Sequence, residues 1–394
     1  MLGSIYVGLS GLEAYSKGLQ TISNNVANLN TLGFKATTVS FNDVFSEGSA
    51  RLSFSEDSSK ARDGNGVRFG AGLVDFGQGE LRQSDGDLDL AVNGNGFLTL
   101  LDGDQASYAR TGQFTRDKDG FITLSGTEKH LAILGEGGRP EAVNLNAYLT
   151  NLAEETKTVT FGGNLAQSGT TATPVIVSGI ATYGPDGTKH TLALTFTKTA
   201  TAGEWTVGIT DSSGHTFPSS TLRFNGQIID PTTAQLTVTD QQDASFSLKL
   251  DFSDVTASQS APNTVATRTI DGHGGGTLQT VTVDEDGQLK LSYSNEQTKL
   301  LGPVALADFR DTQQLERAGN GLFNADKAGL PRLLASGVDG MGKLVSKQLE
   351  ASNVDLSKEF GDLILVQRGY QASSQVISVT NDMIQQLFGI RGQG

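Results

Sequence analysis

Cysteine is absent from the 394 residues, which removes disulfides, thiolate metal sites and cysteine nucleophiles together. The compartment stays open, because a cysteine-free chain works equally inside or outside the cell. Positive charge is scarce as well. The 29 Lys and Arg stand against 43 Asp and Glu, a formal net charge of -14, and no basic run is dense enough to track a phosphate backbone. Nucleic acid is not an expected partner. No stretch approaches the roughly 18 apolar residues of a membrane span, and nothing near Met1 has the charged start and apolar run of a secretory signal. No membrane span and no cleaved signal peptide are expected, so export would need another route.

The residues that usually carry chemistry are few and scattered. Only four histidines occur, His130, His190, His215 and His273, none at ligand spacing from another. Asp117-Lys-Asp119-Gly120-Phe-Ile122 resembles half an EF-hand loop, but the first position would be Thr115 and the twelfth Gly126, so a β-turn is the better reading. His273-Gly274-Gly275-Gly276 matches the oxyanion-hole string of lipases, yet no Gly-x-Ser-x-Gly elbow exists to supply a nucleophile. A flexible link between domains explains it better. Acidic residues are scattered through turns, as in Asp85, Asp87 and Asp89, where one face of a strand could carry all three, and a solvated face explains them better than a catalytic carboxylate pair. No catalytic residue, metal ligand or cofactor is expected, and the chain does not read as an enzyme.

Glycine, by contrast, is abundant: 49 residues, about one in eight against about one in fourteen in average proteins. With 8 prolines and few aromatics, this predicts many tight turns in β structure. Strands are expected at Leu88–Val92, Phe97–Leu101 and Phe121–Leu124, with hairpin signals at Asn93-Gly94, Asp102-Gly103 and Asp119-Gly120. Further strands are expected at Val175–Tyr183, Leu192–Thr197, Trp205–Ile209, Gln235–Thr239, Ser245–Phe252, Leu278–Val283 and Gln288–Tyr293. The rhythm is that of a sandwich or barrel.

The two ends follow a different period. Ile5, Leu9, Leu12, Leu19, Ile22 and Val26 form an apolar stripe in which Ile5, Leu12, Leu19 and Val26 lie seven apart. Asn30-Thr31-Leu32-Gly33 should end that helix, since Asn and Gly tolerate the left-handed conformation. At the other end Leu349, Leu356, Leu363, Tyr370, Ile377 and Ile384 keep the seven-residue spacing, with Asn353, Phe360, Gln367, Ser374, Asn381 and Phe388 four residues on. The stripe is narrow, as coiled-coil seams are. Ordinary amphipathic helices packed on a core are the competing reading. Against it, both stripes lie outside the β-rich body, and the C-terminal helix would extend some 50 Å, too long for a small core to cover. Both stripes are read as self-assembly seams.

The expected fold is therefore mixed, mainly β with α-helical termini. Terminal helices form a coiled-coil-like inner domain, followed outward by two β-rich domains with the outer one inserted in the inner one. In residues, the terminal helical domain is 1–33 with 349–394, and an extended connection is 34–72 with 340–348. The inner β domain is 73–147 with 275–339, and the insertion is 148–274.

The terminal segments are more specific than a class. Leu9-Ser10-Gly11-Leu12, then Ile22-Ser-Asn24-Asn25-Val26-Ala27-Asn28-Leu-Asn-Thr31-Leu-Gly33-Phe34-Lys35, resembles the N-terminal signature of the bacterial flagellar rod and hook family. Leu349-Glu350-Ala-Ser352-Asn353-Val354-Asp355-Leu356 and Gln367-Arg368-Gly-Tyr370-Gln371-Ala372 resemble its C-terminal signature. The long insertion, with Tyr293–Gly302 and Val304–Phe309, resembles the hook branch of that family.

The resemblance implies a structural subunit that leaves the cell unfolded through the flagellar type III export apparatus and polymerises with itself under a hook cap. The product would be a curved, flexible tube between the distal rod and the hook–filament junction proteins, transmitting torque for motility. It implies a location in the flagellar basal body and hook. It also assigns Asn24, Asn25, Asn28, Gly33 and Phe34 to the turn joining the terminal helix to the body. The tail from Gly389 to Gly394 extends past the usual helix end. Two alternatives stand beside this reading: a straight distal rod subunit, and a secreted β-sandwich ligand-binding module with Trp205 as its platform.

Overall fold

The computed structural model describes residues 2–44, 66–167, 173–239, 247–259 and 261–391. Part of the 34–72 connection, the first residues of the strand expected at Ser245–Phe252 and the end of the C-terminal tail lie outside them. The chain divides into two compact units. The first comprises 1–146, 281–290 and 300–394, and the second 147–280 with 291–299.

In the first unit, helix α1 runs Leu2–Ala27 and helix α2 runs Leu356–Arg391. Helix α1 ends as its sequence dictates. The Leu29 N–H reaches the Val26 carbonyl at 3.3 Å and so takes up a carbonyl that the last turn leaves open, while Asn28 Nδ2 donates to the Asn24 carbonyl at 2.9 Å and Thr31 Oγ1 to Asn28 Oδ1 at 3.0 Å. Gly33 follows at φ +66°, where a side chain would be strained. Helix α2 starts abruptly at Asp355, whose Oδ1 accepts from the Ser357 N–H at 2.8 Å and the Lys358 N–H at 3.3 Å. That is an N-cap, and Glu359 in the first turn adds favourable negative charge.

The N-cap corrects one expectation. Leu349 does not belong to the helix. It sits in the strand Gln348–Glu350, antiparallel to Leu81–Gln83, with its side chain buried. Its seven-residue spacing to Leu356 is a coincidence of two different elements.

The β body of the first unit is one sheet of twelve strands among the described residues. Its core alternates as a pleat requires: Phe97, Tyr108, Ala307, Phe309, Leu315 and Phe323 pack together, with Phe97 edge-on to Phe309 and Phe323 at 5.9 Å. Two of the three turn signals behave as hairpins. Asp102-Gly103 joins Phe97–Asp102 to Gln105–Ala109, and Asp119-Gly120 joins Thr111–Arg116 to Ile122–Leu124. Asn93-Gly94 does not. Strand Asp89–Asn93 pairs instead with Thr111–Arg116 and Lys343–Ser346, and the corner at Gly94 and Gly96 wraps the Arg110 guanidinium. Arg110 Nη2 donates to the carbonyls of Gly94 at 2.6 Å and Val92 at 3.2 Å.

The second unit carries a nine-stranded sheet among the described residues. Leu192, Leu194 and Phe196 on one strand, Trp205, Val207 and Ile209 on the next, and Leu248, Leu250 and Phe252 on a third alternate inward. Phe161 stacks on Phe252 at 4.7 Å. Strands Thr158–Ala166 and Ser247–Ser258 run parallel, with a register shift between Thr160 and Gly162 that lets the strand bend. Trp205 is 3% exposed within this core. It is not a surface platform, because its inward register on the strand gives it to the core. The segment at His273 is not a loose tether either. His273 and Glu154 exchange backbone hydrogen bonds at 2.8 and 3.0 Å, and Asp271 Oδ1 accepts from the N–H groups of Lys157 and Thr158.

Candidate functional site

The two terminal helices pack antiparallel, with Gly8 against Ile377, Gly11 against Ser373, Gly18 against Val366 and Asn25 against Glu359. Small residues set the separation. A Cβ added at Gly8 would lie 2.8 Å from Ile377 Cγ1, one at Gly11 would lie 2.5 Å from Ser373 Oγ, and one at Gly369 would lie 2.4 Å from the Tyr15 ring. On α1 the buried positions are Gly8, Gly11, Ala14, Gly18, Ile22 and Asn25, a row of spacing three and four that is almost devoid of large apolar side chains.

The stripe expected on α1 is therefore not the face that meets α2. Of its six residues only Ile22 is buried. Ile5, Leu12, Leu19 and Val26 are half-buried and Leu9 is 58% exposed. On α2, Leu356, Leu363, Ile377 and Ile384 are half-buried, Ile377 against Gly8 of α1, and Tyr370 is 40% exposed. The second row of the seam lies three residues on rather than four: Glu359, Val366, Ser373 and Thr380 are the covered positions, while Phe360, Gln367, Ser374 and Asn381 face out. Three of those four covered residues are polar, so a count of apolar side chains does not find them.

Packing leaves both helices with apolar surface uncovered. On α2, Leu365, Val376, Val379 and Met383 are 44 to 69% exposed. With Ala372 they occupy positions 365, 372 and 379, and 376 and 383, a second stripe of period seven on a flank of the first. On α1, Tyr6, Val7 and Leu9 are exposed.

Where the helices enter the body, polar groups from distant parts of the chain are clasped together. Asn25 is 1% exposed, and its side chain makes three hydrogen bonds. Nδ2 donates to the Thr37 carbonyl at 2.8 Å and to Glu359 Oε1 at 2.9 Å, and Oδ1 accepts from the Thr37 N–H at 3.0 Å. Burial raises the Glu359 carboxyl above its usual range, with the Asn25 hydrogen bond opposing.

Deeper in, Lys35 Nζ meets Glu350 Oε1 at 2.6 Å, both side chains fully buried, and Arg110 Nε meets Glu350 Oε2 at 3.3 Å. Gly79 N–H also donates to Glu350 Oε1 at 2.7 Å. Burial lowers the Lys35 ammonium below its ordinary value and Glu350 works against that. Asn353 completes the clasp. Its Oδ1 accepts from the Ala36 N–H at 2.7 Å, and its Nδ2 donates to the carbonyls of Asp75 and Gly77. Gly33 N–H reaches the Glu350 carbonyl at 2.8 Å, and the Arg317 guanidinium lies 4.8 Å over the Phe34 ring.

All five expected turn residues fall at this junction, with unequal parts. Asn25, Gly33 and Phe34 bind the helix to the body, whereas Asn24 and Asn28 close the last turn of α1. Elsewhere, Asp117 is absorbed by its own turn: Oδ1 accepts from the Phe121 N–H and Oδ2 from Thr123 Oγ1. Asp85, Asp87 and Asp89 do not share a strand face: the strand begins only at Asp89, which is buried and accepts from Ser84 Oγ, while Asp85 and Asp87 lie in the bend and turn before it.

Two of the segments that meet in this junction match known protein families. Residues 5–35 match the family described as flagella basal body rod protein, and residues 345–390 the family described as flagellar basal body rod FlgEFG protein C-terminal. The chain is 32% identical to the flagellar hook protein FlgE of Escherichia coli (strain K12), over 97% of this chain and 98% of that protein. The chain belongs to the flagellar hook protein family.

Another family member, the flagellar hook protein FlgE of Treponema pallidum, is 25% identical over 99% of this chain and all of that one. A crystal structure of the Helicobacter pylori flagellar hook protein FlgE2 aligns with a TM-score of 0.45 and 11% identity over 68% of this chain and 99% of that one. In this hook family chain the two matched segments are α1 with its exit turn and α2 with the strands before it. No helix among the described residues is long and apolar enough to cross a membrane.

Proposed function

We propose that this chain is the structural subunit of a flagellar hook, polymerising with copies of itself into the curved tube that couples the distal rod to the filament. The observation that carries the reading is the apolar surface left on α1 and α2 after each has covered the other: Tyr6, Val7 and Leu9 on one, Leu365, Val376, Val379 and Met383 on the other. A helix pair that had finished its packing would present a polar outer face. The expected seam residues of α1, with Ile5, Leu9, Leu12 and Leu19 turned away from α2, are available to a neighbouring copy in the same way.

Stripes at different places on one molecule make a heterologous contact, and such contacts propagate into an open helical assembly when the rotation from copy to copy does not close a ring. The buried clasp around Lys35, Arg110 and Glu350 fixes the helix pair to the β body, so torque borne by the helices passes to the body through packed groups. Export in unfolded form through the flagellar type III apparatus is part of the same proposal, as are contacts with cap and junction proteins. The test is deletion of residues 1–30 and 355–394. Full-length protein should form tubes at high concentration, curved in electron micrographs. A truncated protein that still forms them would refute the role of the terminal helices, and straight tubes from the intact chain would favour a rod subunit.

A further inference from the structure

In the first unit, the two ends of the chain complete one another at a single buried carboxylate. The Glu350 N–H donates to Thr111 Oγ1 at 3.1 Å, and the Glu350 carbonyl accepts from the Gly33 N–H at 2.8 Å. Its carboxylate takes the Lys35 ammonium, the Arg110 guanidinium and the Gly79 N–H. Each of these partners lies far upstream in the chain. The residues around Glu350 behave alike: Asn353 Oδ1 accepts from the Ala36 N–H, and Glu359 Oε1 from Asn25 Nδ2. Strand Lys343–Ser346 supplies one of the two neighbours of Asp89–Asn93, and Gln348–Glu350 is the partner of Leu81–Gln83.

Without residues 343–366 the upstream groups are stranded. Lys35 and Arg110 keep backbone carbonyls as partners, at Gly77 and at Gly94, but Glu350 is the only carboxylate that either pairs with among the described residues. Two buried cations without a counter-charge weigh heavily against the folded arrangement. Helix α1 fares no better alone. Its inward face at Gly8, Gly11, Ala14 and Gly18 holds no large apolar side chain, and a helix draws most of its stability from packing such a face. The second unit is built otherwise. Its core runs from Val159 to Val265 with no member from the last segment, and the single tryptophan of the chain, Trp205, lies inside it.

We infer that segment 343–366 is the closing piece of the first unit: the N-terminal segment 2–36 stays unfolded until Glu350 docks, whereas the second unit folds without it. The placement of charge thus builds a folding order into the chain. Synthesis begins at the N-terminus, so residues 2–36 exist long before their partners do. An incomplete chain therefore presents no finished helix pair. One consequence rests on the proposed function. The apolar flanks of α1 and α2 that join copies are made only on a complete subunit, and a chain cut short of Glu350 offers a growing tube nothing to bind.

The purified full-length chain tests the folding order without assembly. Protein unfolded in urea is diluted into buffer, pulse-labelled by hydrogen exchange at successive times and read by mass spectrometry of its peptides, with Trp205 fluorescence followed alongside. Recovery of the fluorescence and protection of residues 189–225 are expected first. Residues 8–36 should then gain protection in the same later phase as residues 343–366. Protection of 8–36 ahead of 343–366 would overturn the inference, as would Trp205 recovering only in the late phase or 8–36 never gaining protection. Glu350→Gln asks whether the carboxylate is the device. It should lower the protection of 8–36 at equilibrium by about tenfold or more, with the rate of the Trp205 phase within about twofold. No loss in 8–36, or an equal loss in 189–225, would overturn it, and so would 8–36 staying protected while 343–366 is not. Tube formation enters neither measurement, so failure of the proposed function and failure of this inference are read separately.

Discussion

The glycine-lined contact between α1 and α2 predicts opposite outcomes for the same substitution at two places on one helix. Gly361 and Gly369 both lie inside α2, so replacing either by Ala gains about 1 kcal/mol of helix propensity. A Cβ at Gly361 meets nothing within 4 Å, and Gly361→Ala should stabilise the chain by about 0.5–1 kcal/mol. A Cβ at Gly369 would lie 2.4, 2.6 and 2.9 Å from three atoms of the Tyr15 ring, and that ring is backed by Phe41 at 5.1 Å. The ring cannot slide away without moving a second ring or parting the helices, an overpacking cost of about 1–3 kcal/mol. Gly369→Ala should be neutral to destabilising by about 2 kcal/mol, leaving the two variants about 1–3 kcal/mol apart. Urea unfolding followed by circular dichroism at the helical band reads the difference, with propensity cancelled between the two. If Gly369→Ala stabilises as much as Gly361→Ala, the helices do not approach as described.

Glu350→Gln leaves Lys35 and Arg110 buried without a full counter-charge, and breaking a buried pair in this way costs about 3–5 kcal/mol. Denaturant midpoints should fall accordingly, and an unchanged midpoint would show that water reaches the clasp. Glu359 supplies a pH dependence. Its carboxyl is raised in the folded chain by burial, so the folded state binds the proton more tightly than the unfolded one. Its contribution therefore grows as pH falls through the raised value toward the ordinary 4.5. Glu359→Gln keeps an acceptor for Asn25 and should remove that part of the pH profile, and a profile unchanged by the substitution would count against a buried Glu359.

Much of the fold is legible in the sequence, for identifiable reasons. Alternation put Leu192, Leu194 and Phe196 in a strand, and Gly33 announced the end of α1, because both signals are local. The seam was only half legible. Leu363, Ile377 and Ile384 stand out as large apolar residues, but their partner row, Glu359, Val366, Ser373 and Thr380, is mostly polar. The face of α1 that meets it is glycine, which no hydrophobic period reports. Close approach, not bulk, makes that contact. Leu349 joined the apolar count by spacing alone, since only the Asp355 cap shows that the helix begins later. The clasp was invisible for another reason: Lys35, Arg110 and Glu350 lie far apart in the chain, and nothing local marks three charges as buried partners. A period-seven scan of the exposed positions of α2 would have found the second stripe.

That second stripe is where the account is most exposed to test. Val379→Asp in the full-length chain places a charge within it, on a side chain already 46% exposed, so the fold of the single chain should be untouched. Sedimentation and electron microscopy across a concentration series should show a protein with unchanged circular dichroism that forms no tubes where the unsubstituted chain does. Tubes appearing at the same concentration from both would contradict the claim that the uncovered flank of α2 joins one copy to the next.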